Sequence, residues 1–474
     1  MTHSATPAWP KINTRWLLVA LIFLAAGLAL WRLGDHGVRL WDETRYGENA
    51  LQMLQRGDFI NYYFDGQMDD WVAKPPLGMW LIALAYKLLG FNEWALRLPS
   101  ALAGITAVAL TFLLVRLYKG ALSAALACIA VITCRGILGP HVSRSGDLDA
   151  LFVATALGAV YFMARYSHLK ERPALLAAAI CAGLCFLSKG FMLMLILPGL
   201  GMYLLLRGHA WSLLRDGFFW GGVAILAAFI GGWYACIHIY GNHFTNSQYG
   251  TDAWDVMINY DIRRRFTEKL EGDTTTPAFV FEALDTRFSP WIYLLYLSLV
   301  VLLVRTKRPL GRLWHRLRHD DLLCLCTCMS LMTCLVLANS ATKFNWYFAI
   351  TTPFLAALTA LLLRWAVPMR LVKILFAVST AIGLGMQLLT VTKHEDGLTD
   401  ALIENLPLIL GAKHIYATRS PAFNTVLALK WRNRKIDTTP GDLQAKTLTV
   451  IQPKLGTFQE SDGYSVLLLP GIND

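Results

Sequence analysis

"RLPSALAGITAVALTFLLVRLYKGALSAALACIAVITCRGILG", residues 97–139, holds two apolar runs, 97–117 and 121–139, parted by a short basic step containing Arg116 and Lys119. Each run approaches the roughly 20 residues an α-helix needs to cross the hydrocarbon core of a bilayer. Lysine and arginine collect on the cytoplasmic side of membrane proteins, so the step reads as an inner connection between two spans.

The pattern repeats outward. Further apolar stretches lie at about 15–33, 148–164, 173–188, 190–206, 217–240, 288–304, 322–338, 345–363 and 370–391, which makes about eleven spans in all. The groups Lys11 and Arg15; Arg165, Lys170 and Arg172; Arg207 and Arg215; the run "RTKRPLGRLWHRLRH" from Arg305; and Arg364, Arg370 and Lys373 fall in alternate connections. The opposite connections, 34–96, Asp147 with Asp149, and 241–287, hold most of the acids. A cytoplasmic N-terminus and a C-terminus on the far side are therefore expected.

Composition agrees. Of 474 residues 55% are hydrophobic and 16% charged, with mean hydropathy +0.45, which excludes an ordinary soluble enzyme. The balance of 43 basic against 32 acidic residues, net +11, is accounted for by topology and by anionic lipid at the inner leaflet, with no need for nucleic acid. Nine cysteines sit inside apolar runs and read as small core hydrophobes, not as a disulfide framework or zinc site. No small-residue cleavage pattern comes after the first run, so an uncleaved span is expected there. Within 34–96, residues 44–56 and 76–90 predict short helices, the second lying along the interface. Residues 1–391 read as the membrane domain. Residues 392–474 read as a small α/β outer domain with strand-like pieces "KHIYATR", "TLTVIQP" and "YSVLLLP".

Chemistry gathers in the outer connections. "WDETRYGENA", residues 41–50, packs Asp42, Glu43, Arg45 and Glu48 just past the first span. An acidic first turn on a helix explains one carboxylate. "WVAKPPLG" with Lys74, "SRSGDLDA" with Arg144, Asp147 and Asp149, "LSKG" with Lys189, and "SATKFNWYFAI" with Ser340, Lys343 and Tyr347 are all predicted at that same face. Each alone reads as a snorkelling lysine or a helix cap. Together they describe a polar cavity for a charged amphiphile, with cations for a phosphate and carboxylates for hydroxyls or proton removal.

The stretches "WDETRYGENALQMLQRGDF", "KPPLGMWLIALAYKLLGFNEWALRLPSAL", "GDLDALFVAT", "LCFLSKG", "RRRFTEKLEG" and "SATKFNWYFAITTPFLAAL" resemble, in this order, the bacterial integral-membrane glycosyltransferases of the protein-mannosyltransferase and aminoarabinose-transferase superfamily, with the GT-C fold. The likeness covers about the first 365 residues. It implies an all-α polytopic protein in the bacterial inner membrane, with its active site on the periplasmic side. It implies inverting transfer of a sugar from a polyprenyl-phosphate carrier to a lipid or glycan of the cell envelope, of lipid A or lipopolysaccharide type. On the resemblance Asp42 is the catalytic carboxylate and Glu43 its neighbour; Lys74, Lys343, Arg45 and Arg264 hold the donor phosphate; Tyr46, Asp149, Lys189 and Tyr347 contact donor or acceptor. Two positions depart from the aminoarabinose branch: Ala73 stands where a glutamate precedes Lys-Pro-Pro, and Thr44 where a proline comes after Asp-Glu. The missing glutamate removes a carboxylate associated with a metal, so no metal ligand is assigned and a divalent ion is left open. The alternatives are a protein O-glycosyltransferase of the same fold and a lipid-linked sugar transporter. The transporter is disfavoured because no inverted repeat is visible and the ionisable groups gather at one face.

Overall fold

The computed structural model describes residues 13–392 except 36–37, 40–41, 65–66, 72–73, 245–246, 248, 271–275 and 306–308, and beyond them the segments 414–417, 448–451 and 465–468. In chain order the elements are α1 (Thr14–Leu30), α2 (Asp42–Arg56), the short strands β1 (Tyr63–Phe64) and β2 (Gln67–Met68), α3 (Leu77–Leu89), α4 (Glu93–Thr133), α5 (Asp149–Leu169), α6 (Ala174–Lys189), α7 (Leu197–Leu206), α8 (Ala210–Leu214) and α9 (Gly217–Tyr240). They continue with α10 (Ala253–Ile258), α11 (Arg265–Thr267), α12 (Phe279–Phe288), α13 (Trp291–Arg305), α14 (Pro309–His319), α15 (Asp321–Asn339), α16 (Thr352–Ala366), α17 (Met369–Thr392), β3 (His414–Ala417), β4 (Leu448–Ile451) and β5 (Ser465–Leu468).

The stretch 97–139 folds as two antiparallel halves of α4. Gly120, at φ 79° and ψ 175°, takes a backbone conformation that only glycine adopts readily, and the helix breaks there. Beyond the break the chain returns along itself, so that Cys128 Sγ donates to the Val108 carbonyl at 3.4 Å. The basic step at Arg116 and Lys119 is therefore a turn between two packed spans.

Among the described residues seven helices are long and apolar enough to cross a membrane, or eight when α12 and α13, bent by 115°, are taken as one. The expectation of about eleven differs for local reasons. The two halves of α4 count once, and the expected spans at 15–33 and 190–206 form helices of 17 and 10 residues. Gly190, at φ 61°, stops α6, and a 3₁₀ turn over Gly190–Leu195 precedes α7, whose first turn carries Pro198.

Burial orders the bundle. The segment Asn345–Ala366 has 89% of its apolar window buried and forms the centre, against 17% for α9, whose apolar surface faces hydrocarbon. Helix α5 packs between α4 and α6, and α16 packs on α4, α13 and α15.

The connections expected inside meet at one end. There Lys119 pairs with Asp320 (2.5 Å), Arg172 with Asp216 (2.8 Å) and Arg207 with Asp321, and Arg364 donates to Ser123. Helices α2 and α3, residues 134–148 and the segments around 190, 260 and 345 gather at the other end. The strands β3, β5 and β4 lie parallel in that order, aligning Tyr416 with Leu467 and Val450, and fall within the three strand-like pieces read from sequence. The helical share expected of 392–474 lies outside the described residues.

Candidate active site

The carboxylates that open α2 take different roles. Asp42 and Glu43 form its acidic first turn, at the positive end of the helix dipole. Glu43 is 1% exposed. Its carboxylate accepts from Arg97 Nε (2.6 Å) and Nη2 (3.1 Å), and from the backbone amides of Arg39 and Gly146, both at 2.7 Å. Arg97 also donates to the Leu33 carbonyl at 3.0 Å. One buried ion pair thus ties α2, α4 and the loop before α5. A Cβ at Gly146 would sit 2.8 Å from Leu96 Cδ1 and 3.2 Å from Glu43 Cγ, so the close approach requires glycine.

Asp42 faces a cavity of about 570 Å³ shared with Arg45, Lys74, His141, Lys189, Arg265 and an aromatic wall of Trp71, Tyr249, Tyr260, Phe344, Trp346 and Tyr347. Arg45 grips Asp69 with Nε and Nη2, each at 2.9 Å, and lies over the Phe64 and Trp71 rings. Lys74 Nζ stands 4.0 Å from Asp261, to which Arg265 Nε also points at 3.2 Å. Lys189 pairs with Asp149 at 2.5 Å and sits 5.0 Å from the centre of the Tyr347 ring, whose hydroxyl takes a hydrogen bond from Arg265 at 3.3 Å. Lys74, Lys189, Arg265 and Tyr347 also line a narrower adjoining cleft of about 90 Å³, otherwise walled largely by apolar side chains such as Phe191, Met194, Met257 and Phe266. A polar chamber and a greasy slot meet at three cations.

Burial pushes the Asp42 carboxyl above its usual range; Lys74, Lys189 and Arg265 pull it back, and Asp147 adds repulsion. Burial acts on Asp147 in the same sense, yet hydrogen bonds from His141 and Ser145 hold that carboxyl below the usual range.

Of the residues singled out from sequence, Asp42, Arg45, Lys74, Lys189 and Tyr347 line the cavity, and Asp149 stands behind Lys189. Tyr46 is buried in the α2–α3 core, its ring 5.9 Å from Lys74 Nζ. Three expected site residues are elsewhere. Glu43 is committed to Arg97. Lys343 is buried outside the cavity lining and donates to the Ser340 carbonyl at 2.7 Å, which satisfies the C-terminal end of α15. Arg264 pairs with Glu268 at 2.9 Å on the surface, and its neighbour Arg265 lines the cavity instead. His141 and most of the aromatic wall were not singled out; the run "FNWY" at 344–347 was the available signal. Among the described residues no group of three or more His, Cys, Asp or Glu side chains is placed to hold a metal ion. Ala73 lies outside the described residues.

Residues 73–234 match the Dolichyl-phosphate-mannose-protein mannosyltransferase family. The chain is 28% identical over 291 residues to the undecaprenyl phosphate-alpha-4-amino-4-deoxy-L-arabinose arabinosyl transferase 2 of Pseudomonas fluorescens, covering 59% of this chain and 47% of that one. It spans about half the length of the first curated relatives it matches. The structure of ArnT from Cupriavidus metallidurans bound to undecaprenyl phosphate superimposes with TM-score 0.69 at 18% identity, over 88% of this chain and 85% of that one. The apo oligosaccharyltransferase of Archaeoglobus fulgidus superimposes at 0.51 and 13%, over 93% and 62%. The fold, the cavity and the sequence likeness point the same way, toward the GT-C glycosyltransferases and the ArnT-type transferases among them, to which the chain is similar.

Proposed function

We propose that the protein is an inverting glycosyltransferase that moves a sugar from a polyprenyl-phosphate carrier to a cell-envelope lipid or glycan of lipid A type. The reaction takes place at the periplasmic face of the bacterial inner membrane, in a bundle of eleven crossings with residues 392–474 as an outer domain. The observation that carries this reading is the joint between chamber and slot, where Lys74, Lys189 and Arg265 converge. The slot suits a polyprenyl tail, the cations its phosphate, and the aromatic chamber a sugar ring.

At the reacting centre the acceptor oxygen attacks the anomeric carbon while the bond from that carbon to the phosphate oxygen breaks. The electron pair leaves with the carrier phosphate, whose growing charge the three cations hold in a water-poor site. Asp42 takes the proton of a hydroxyl acceptor. For an acceptor that is already an ionised phosphate, Asp42 orients it and no proton moves.

Purified protein incubated with a panel of polyprenyl-linked sugars and lipid A tests the reading. Asp42→Asn is expected to reduce transfer to a hydroxyl acceptor by about 10²–10⁴, and Lys74→Ala by about 10²–10³, with both variants still inserted in the membrane. Asp42 must be ionised to act, so transfer to a hydroxyl falls as pH drops through its raised pKa. Lys74→Ala removes a charge that favours the carboxylate and moves that limb to higher pH. Wild-type rates in both variants would end the assignment. A protein acceptor is the second reading, favoured by the family match over residues 73–234, and mass spectrometry of envelope proteins with and without the gene separates the two. Movement of the lipid-linked sugar into vesicles with no covalent product would mark a transporter.

A further inference from the structure

His141 is built into the chamber with more care than a lining residue needs. Its backbone is left-handed, at φ 56°, a conformation that costs a side chain energy and persists where the surroundings impose it. Its Nδ1 lies 3.2 Å from Asp147 Oδ2, which also accepts from Ser145 Oγ at 2.8 Å. A carboxylate only accepts, so Nδ1 carries the proton and Nε2 keeps its lone pair. Asp147 is 3% exposed, and its Oδ1 is buried without a hydrogen-bond partner among the described residues. The ring stacks on Trp346 at 4.6 Å and 17°, and Trp346 stacks on Phe344 at 4.7 Å and 2°. Buried Arg287 locks the arrangement from α12, donating to the Pro140 carbonyl at 2.9 Å and to Asn345 Oδ1 from Nε at 3.1 Å.

We infer that the His141–Asp147 pair is the proton relay of this chamber: the proton that Asp42 takes from a hydroxyl acceptor passes to His141 Nε2 and then to water. This rests on the glycosyl-transfer reading. The transfer balances: Asp42 returns to carboxylate, the neutral imidazole becomes imidazolium, and the later loss of that proton to solvent restores it. The imidazolium is stabilised by the Asp147 charge and by the face of Trp346. The acids facing the pair are Asp42 from α2 and Asp149 from α5. The cations are Arg45 from α2, Lys74 from the segment before α3, Lys189 from α6, Arg265 from α11 and Arg287 from α12, with Arg97 of α4 and Arg39 from the segment before α2 acting on Asp147.

The test is the rate of transfer to a hydroxyl acceptor by the purified full chain. His141→Gln is expected to lower kcat about tenfold or more, leave KM within about twofold, and regain rate with added imidazole. Asp147→Asn, which deprives the imidazolium of its partner, is expected to lower kcat as well, again with KM within about twofold. A His141→Gln enzyme with unchanged kcat, or one that added imidazole does not rescue, overturns the relay while glycosyl transfer stands. Wild-type protein that consumes no lipid-linked sugar overturns the transfer reading instead. Folding is checked separately by thermal unfolding in detergent, and a folded His141→Gln protein whose loss lies in KM alone also overturns the relay.

Discussion

Asp42 and Glu43 are neighbours in sequence with opposite fates. Successive side chains on a helix point about 100° apart, so the first turn of α2 aims Asp42 at the cavity and Glu43 at the buried Arg97. Glu43→Ala strands a guanidinium that is 2% exposed and leaves the amides of Arg39 and Gly146 without their acceptor. Breaking a buried pair from one side costs about 3–5 kcal/mol. Thermal unfolding of the purified variant in detergent is therefore expected to show a clear fall in midpoint, with a smaller fall for Glu43→Gln, which keeps an acceptor oxygen. An unchanged midpoint in Glu43→Ala would remove the clamp. The paired acids were legible as a motif, and the resemblance singled out Asp42; that Glu43 would turn to Arg97 while Asp42 faces the cavity was not legible, because that depends on where the first turn faces.

At the scale of elements, the decisive feature is the π turn over Asn259–Arg264, which runs directly into α11. A π turn carries more residues per revolution than an α-helix and rotates the residues after it to a new phase. Three consecutive arginines, 263–265, look equivalent in the sequence, yet only Arg265 reaches Asp261 and Tyr347. Arg265→Ala is expected to reduce transfer about tenfold or more through the loss of a charged hydrogen-bonding partner for phosphate, whereas Arg264→Ala, which breaks an exposed pair with Glu268 and a contact over the Tyr260 ring at 5.4 Å, leaves transfer within about twofold. Equal losses in the two variants, measured with the same lipid-linked donor, would contradict the assignment. Lys343 obeys a related rule: a lysine just beyond a helix end has the orphan carbonyls there as ready partners, and Lys343 donates to that of the cap residue Ser340, outside the cavity lining.

For the whole molecule, charge segregates between the two ends of the bundle. Lys119, Asp320, Arg207 and Asp321 meet at one end, and Asp42, Lys74, Lys189 and Arg265 at the other, as the alternation of basic and acidic connections leads one to expect. Cysteine placed at exposed Glu268 should react with an impermeant thiol reagent added outside spheroplasts, and cysteine at exposed Arg116 only after permeabilisation, with the native protein as the background control. Labelling of both from the same side would refute the orientation.

By itself the sequence determined the membrane class, the alternation of connections and the face where ionisable groups gather. Those arise from hydrocarbon thickness and charge asymmetry, which act on each segment separately. Only the tertiary structure decided that Glu43 would lock onto Arg97, that Arg265 and not Arg264 would line the cavity, and that His141 would stack on Trp346 beside Asp147. The partners in those contacts are 54, 82, 205 and 6 residues apart, for Glu43 with Arg97, Arg265 with Tyr347, His141 with Trp346 and His141 with Asp147 in turn. Their meeting depends on helix phase and loop course, neither of which hydropathy records.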